Sequence, residues 1–232
     1  MKTLILLFAA VLLFAACKKN QVVVSTNNNN STTTLTTGGE EDAKIVSVVI
    51  GAQTWMASNL NVTKYRNGDK IPQVKNAATW GGLQSGAWCF YNNDTANGNV
   101  YGRLYNWYAV NDPRGLAPAG WHIPTDAEWA TLANYLGGEF VAGGQMKETG
   151  TTHWLPPNTG ATNSTGFTGL PGGWRNYGTG GFLNINDNGR WWSATVNTVT
   201  TAWDRELTNN SARLRRSSGS RQNGFYVRCI KD

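Results

Sequence analysis

The chain has 232 residues, only 15% of them charged, and a formal net charge of +6, which excludes a charge-driven disordered protein and an acidic tail. Its 27 glycines and 11 tryptophans argue against long helices and for many tight turns around large aromatic packing units. No repeat of solenoid or propeller period occurs, so the roughly 190 residues beyond the N-terminal tract suffice for one domain with a substantial core.

Lys2 precedes an apolar run over residues 4–16, too short to span a bilayer as a helix. Ala15 and Ala16 stand before Cys17, so residues 1–16 read as a lipoprotein signal peptide and Cys17 as an acylated, palmitate-bearing N-terminus. The plain alternative is an ordinary secretory signal with an accidental cysteine; Phe14 stands where a leucine is usual. Both readings export the chain. From Asn20 to about Asp42 the composition turns to Asn, Thr and Ser, which cannot bury enough apolar area to offset ordering entropy. Residues 17–42 thus read as a lipidated cysteine on a disordered polar tether, with a reach on the order of 27 Å.

Residues 44–50 and 53–57 read as strands paired across Gly51 and Ala52, and residues 88–91 as a strand ending at Asn92-Asn93-Asp94. A short helix is predicted over residues 104–110. Trp121 and Ile123 alternate with His122 in an extended run that Pro124 stops. Thr125 then caps a helix, and Glu128 stands where it can reach back to the cap amide. Trp129, Leu132, Ala133 and Leu136 make one apolar stripe, which Gly137-Gly138 ends. Residues 137–189 form a long Gly/Asn/Thr-rich loop section, where ligands commonly bind. The turn Asp187-Asn188-Gly189 leads to a strand at 190–195. A hairpin of 202–208 and 212–217 turns at Asn209-Asn210-Ser211, and residues 224–231 close the sheet. The reading is an α+β domain, loop-rich, with short antiparallel strands and about two helices.

Cys89 and Cys229 lie in two predicted strands, and in an oxidising compartment they suggest one disulfide, contributing roughly 4–5 kcal/mol. Two buried thiols are the alternative. His122 and His153 are the only histidines and lack a metal-binding spacing; His122 reads as structural. Neither a nucleophile elbow nor a phosphate-binding loop occurs. Glu128, Glu139, Glu148, Asp187, Asp204 and Glu206 could supply a carboxylate pair for a glycosidase, but none is marked by its setting. Arg205, Arg213, Arg215, Arg216, Arg221 and Arg228 crowd the last thirty residues. They form either a basic face for acidic polysaccharide or a solvated sheet face partly neutralised by Asp204 and Glu206. Trp174, Arg175, Asn176 and Tyr177, bounded by glycines, combine the types that stack on and hydrogen-bond sugars. They are the candidate ligand-binding residues, against the alternative of aromatic–arginine packing inside the fold.

Pro124-Thr125, with Ala127-Glu128-Trp129, resembles the sulfatase-modifying-factor branch of the C-type-lectin-like superfold. Residues 50–61, the run Tyr101-Gly102-Arg103-Leu104-Tyr105-Asn106-Trp107, then Trp191-Trp192-Ser193 and the ending at 227–232 occur in the order seen in another group. They resemble the Fibrobacter succinogenes major paralogous domain, over residues 43–232. The resemblance implies a lectin-like fold and an exported protein of the cell envelope, at the outer membrane on either face. The formylglycine-generating branch needs two nearby thiols; only Cys229 stands in the C-terminal segment, so those catalytic residues do not carry over. A lectin-type calcium site is not expected either. Pro157-Asn158 lacks the preceding acidic or amide residue, and Arg205 follows Trp203-Asp204 where a ligand should stand. Asp94-Thr95-Ala96 is similar to the motif that Bacteroidetes O-glycosylate, which marks Thr95. The expected function is a non-catalytic envelope lipoprotein for recognition or adhesion with glycan as ligand, without cofactor or metal and without nucleic acid as partner. The alternatives are an envelope enzyme derived from the modifying-factor fold and an assembly component that binds protein.

Overall fold

The computed structural model describes residues 23–26, 32–36 and 45–232; residues 1–16, read above as a signal peptide, and Cys17 lie outside the described residues. The elements begin with β1 (Val23–Thr26), β2 (Thr32–Thr36), β3 (Ile45–Ile50), β4 (Gln53–Met56), α1 (Ala77–Gly81) and β5 (Trp88–Cys89). A 3-10 turn (Tyr91–Asn93) leads to α2 (Thr95–Tyr101), β6 (Leu104–Tyr105), α3 (Trp107–Val110), β7 (Trp121–His122), α4 (Asp126–Tyr135) and α5 (Glu139–Met146). The last third holds β8 (Gly172–Arg175), β9 (Phe182–Ile185), β10 (Asn188–Val196), β11 (Thr201–Thr208), β12 (Arg215–Ser220) and β13 (Ile230–Lys231). One sheet has the order β1-β2-β3-β4-β13-β7, a second β12-β11-β10-β8-β9, and β5-β6 is a separate ribbon. The α+β class holds.

Several elements follow from local chemistry. Thr125 Oγ1 accepts from the Glu128 amide at 3.2 Å while Glu128 Oε2 accepts from the Thr125 amide at 2.7 Å, the predicted capping box at the start of α4. Trp129, Leu132, Ala133 and Leu136 all face the core. β3 and β4 pair as expected, Ile50 opposite Gln53, with Gly51 at φ 61° in the turn.

Other elements differ. The tract expected as a disordered tether contains β1 and β2, antiparallel to each other, with β2 paired along the backbone to β3. Five α-helices stand among the described residues where about two were expected. α5 holds Gly143 and Gly144, poor helix formers, because a Cβ there would come within 2.5 Å of Arg213 O and 2.4 Å of Gly160 O. Close packing overrides propensity at that point. The turn at Asp187 makes no β9–β10 hairpin, since β9 and β10 flank β8 on opposite sides. β12 starts at Arg215, so Arg213 falls outside the strand and does not share a face with it. Of residues 224–231 only β13 is regular, with Ile230 opposite both Trp55 and His122.

Seven of the 11 tryptophans are less than 2% exposed. In one core cluster Trp55 and Trp129 meet with centroids 4.6 Å apart, and Phe167 stands edge-on to both. A second cluster gathers Trp107, Trp192 and Phe225, the last two rings 4.3 Å apart.

The expected Cys89–Cys229 bridge is corrected: both thiols are free and buried. Cys89 belongs to the first cluster and Cys229 to the second, each packed as a small hydrophobe among its own aromatic neighbours. Burial pushes each thiol up to about 12, which keeps it protonated and unreactive. Thiol labelling should therefore add two labels within residues 43–232, on Cys89 and Cys229, after unfolding without reductant and none there in the folded domain. A bridged protein would take up no label in either state.

Candidate functional site

The glycine-bounded segment at β8 was the predicted contact region, and the structure divides its four residues between scaffold and surface. Arg175 is fully buried: Nε donates to Gly180 O at 2.9 Å, Nη1 to Val74 O at 2.7 Å and Nη2 to Lys75 O at 2.8 Å. Its guanidinium lies over Trp80 and Phe182 at 4.5 and 4.9 Å. Arg175 is a structural clamp and not a ligand contact, because each guanidinium nitrogen already donates to a carbonyl and the residue has no exposed surface. Trp174 is half-buried, edge-on to Phe225 at 5.8 Å, with the Arg190 guanidinium 5.3 Å from its centroid. It too belongs to the packing. Asn176 Oδ1 accepts from the Thr179 amide and hydroxyl at 3.0 and 3.3 Å and so closes the β8–β9 tip.

Tyr177 remains. It is 44% exposed, and its amide donates to Asn223 Oδ1 at 3.1 Å, which fixes the backbone beneath the ring. The ring borders a cleft of about 550 Å³ lined by Ala77, Ala78 and Gly81 of α1 and by Gly178 and Thr179. The tip is pressed onto the helix. A Cβ on Gly81 would stand 2.5 Å from Tyr177 O, and one on Gly180, at φ 65°, 2.5 Å from Ala77. The result is an exposed aromatic ring on a hydrogen-bonded, closely packed backbone beside small residues.

Residues 48–231 match the Fibrobacter succinogenes major domain family. The chain belongs to this family. No curated protein and no solved structure matches it significantly. The matched span runs from within β3 to within β13, so the Tyr177 cleft and both core clusters lie inside the major domain.

The remaining predicted residues of this major domain fall into structural roles. Arg205 Nη1 donates to Asp126 Oδ1 at 2.7 Å, and Arg216 pairs with the same carboxylate at 2.9 Å while lying 3.3 Å over Trp203. Arg213 pairs with Glu139 at 3.1 Å, Arg215 with Glu206 at 3.2 Å, and Arg221 donates to Thr198 O at 2.8 Å. Arg228 is buried on Asn59 Oδ1 and the carbonyl of Met56. Four of these six arginines are thus paired with carboxylates, whereas Arg221 and Arg228 rest on carbonyl and amide oxygens. Asp204 is fully buried, and burial raises its carboxyl to about 6 even with Arg190 2.8 Å away. Thr95 is exposed as the first residue of α2, with Asp94 capping that helix through the Ala96 amide at 2.9 Å. Among the described residues no group of three or more His, Cys, Asp or Glu could hold a metal ion. No helix among them is long and apolar enough to cross a membrane.

His153 Nδ1 lies 2.9 Å from Glu148, and its ring stands edge-on to Tyr101. His122 bridges two carboxylates: Nε2 lies 2.8 Å from Glu128 Oε1 and Nδ1 2.7 Å from Asp232 Oδ1. Burial opposes its protonation, but hydrogen bonds to Glu128 and Asp232 outweigh that and raise its pKa above the usual histidine value. Since the folded value is the higher one, this stabilisation is complete below about pH 6.5 and is lost as pH rises through the folded value. Denaturation midpoints should therefore fall on going from pH 6 to pH 8, and His122→Gln should flatten that slope. An unchanged slope in the variant would show that the bridge carries no linkage.

Proposed function

We infer that this major-domain protein is a non-catalytic lipoprotein of the cell envelope, held by acyl chains on Cys17, whose exposed domain recognises glycan through the Tyr177 cleft. The observation that carries the reading is the exposed Tyr177 ring fixed over small residues at the β8–β9 tip. A sugar presents an apolar C–H face that stacks on such a ring, and a pre-organised platform loses little entropy on binding. The lectin-like arrangement belongs to the same inference. The two cysteines support the non-catalytic side, since they lie in different core clusters and offer no thiol pair to a soft metal.

A glycan array probed with the exported protein tests the reading. Tyr177→Ala should abolish the binding seen with wild type and leave the melting temperature nearly unchanged, because the ring is largely outside the core. Binding that survives the substitution would remove the cleft from the proposal. Incorporation of radiolabelled palmitate should be lost in Cys17→Ser; retention at the wild-type level would refute the anchor.

A further inference from the structure

A second concavity, of about 730 Å³, shares no lining residue with the Tyr177 cleft. It is assembled from β3, β4 and the loops at 58–68 and 116–119, which is why no local sequence pattern announces it. Its floor is aliphatic, with Met56, Leu60, Leu116 and Ala117 buried beneath Ile45 and Val62. Arg66 stands on its wall. Nε donates to Ala117 O at 3.0 Å, and Nη2 donates to Pro118 O and Trp121 O at 3.3 and 2.9 Å. Those three carbonyls hold the guanidinium in place but do not neutralise it. Nη1 has no partner among the described residues. The nearby carboxylates are spent elsewhere, since Arg114 takes Asp69 at 3.2 Å and Asp112 at 2.8 Å. On the rim the Ser58 and Thr63 hydroxyls are exposed and have no partner among the described residues. Asn61 is exposed there too; its Oδ1 accepts from Arg103, and its amide NH2 has no partner among the described residues.

A guanidinium held by three carbonyls, with no carboxylate partner and a free Nη1 among the described residues, suits a carboxylate, because a fork held in place loses little freedom on pairing. Hydroxyl and amide groups around it suit a polyhydroxylated body, and the aliphatic floor suits a sugar's C–H face. An extended peptide would need an open strand edge, and here β3 and β4 are each paired on both sides. We propose that the Arg66 groove is an anion-binding site for the uronate units of an acidic glycan, with the carboxylate on Arg66 and the hydroxyls on Ser58, Asn61 and Thr63. The site stands independently of any stacking on Tyr177.

Titration calorimetry of the full chain with a short oligogalacturonate, its methyl ester and polyglutamate tests this at low salt. The free acid should bind, and the ester, which keeps the hydroxyls but loses the charge, should bind at least about tenfold more weakly. Arg66→Gln should match that loss, while Arg66→Lys keeps the charge without the fork and should fall between. Because Arg66 also ties down the loop at 117–121, Thr63→Ala serves as the second variant: it should weaken binding several-fold at an unchanged melting temperature. Tyr177→Ala should bind the acid as wild type does, which separates failure of this site from failure of the Tyr177 cleft. Absence of binding, equal affinity for acid and ester, or wild-type affinity in both Arg66→Gln and Thr63→Ala would overturn the proposal. Polyglutamate binding as tightly as the saccharide would overturn its glycan specificity and assign the groove to acidic peptide.

Discussion

Trp129→Ala should destabilise the domain by about 3–5 kcal/mol and lower its melting temperature by roughly 6–20 °C. Trp129 has no exposed surface and sits in the first core cluster, 4.6 Å from Trp55 and 6.1 Å from Phe167. Alanine would leave a cavity that the buried Trp55 and Phe167 rings cannot fill without abandoning their own packing. The indole also carries a liability: its Nε1 is buried with no hydrogen-bond partner. Phenylalanine fills most of the volume and removes that orphaned donor, whose burial by itself costs about 1–3 kcal/mol. Trp129→Phe should therefore cost less than about 2 kcal/mol, well below the alanine variant. Urea denaturation of the two variants checks the contrast, and equal losses would mean that the indole nitrogen is satisfied.

Arg175→Ala is expected to have the second large effect, a loss on the order of 3–5 kcal/mol. It strips three backbone carbonyls of their donors and removes the guanidinium that packs over Trp80 and Phe182. Its functional consequence is specific, because the same guanidinium ties β8 and the tip after it to residues 74 and 75. Losing that tie should weaken the proposed glycan binding through the position of Tyr177 even at temperatures where the domain remains folded. Arg175→Lys should recover little, since one ammonium cannot reach three carbonyls set in a fork's geometry. Hydrogen exchange over residues 176–181 provides the check. Protection unchanged from wild type in Arg175→Ala would show that the clamp does not hold the tip.

The features legible in the chain are those decided within a few residues. The capping box needs only Thr125 and Glu128, and the β3–β4 pairing needs alternating residues about a glycine that can take positive φ. The apolar stripe of α4 is likewise a matter of spacing, and the motif order along the chain was enough to indicate the family that residues 48–231 match. The errors have a common cause. Trp174, Arg175, Asn176 and Tyr177 look alike as neighbours in sequence, yet Arg175 meets a carbonyl 101 residues away while Tyr177 points outward.

Composition and local pattern by themselves determined an α+β domain, rich in tryptophan, with its best helix capped at Thr125, and the resemblance in motif order pointed to the family. Only the tertiary structure decided what each polar or reactive group does. Cys89 and Cys229 stay apart because their strands feed different core clusters, and Arg228 is spent on an asparagine 169 residues away. Gly143 and Gly144 lie inside a helix because Arg213 and Gly160 press against it, and among the described residues Arg66 meets only carbonyls because Arg114 has taken Asp69 and Asp112. A backbone hydrogen bond or an alternation of faces is set by neighbours along the chain. The fate of a thiol, a guanidinium or an exposed ring depends on which distant segment the packed core brings beside it.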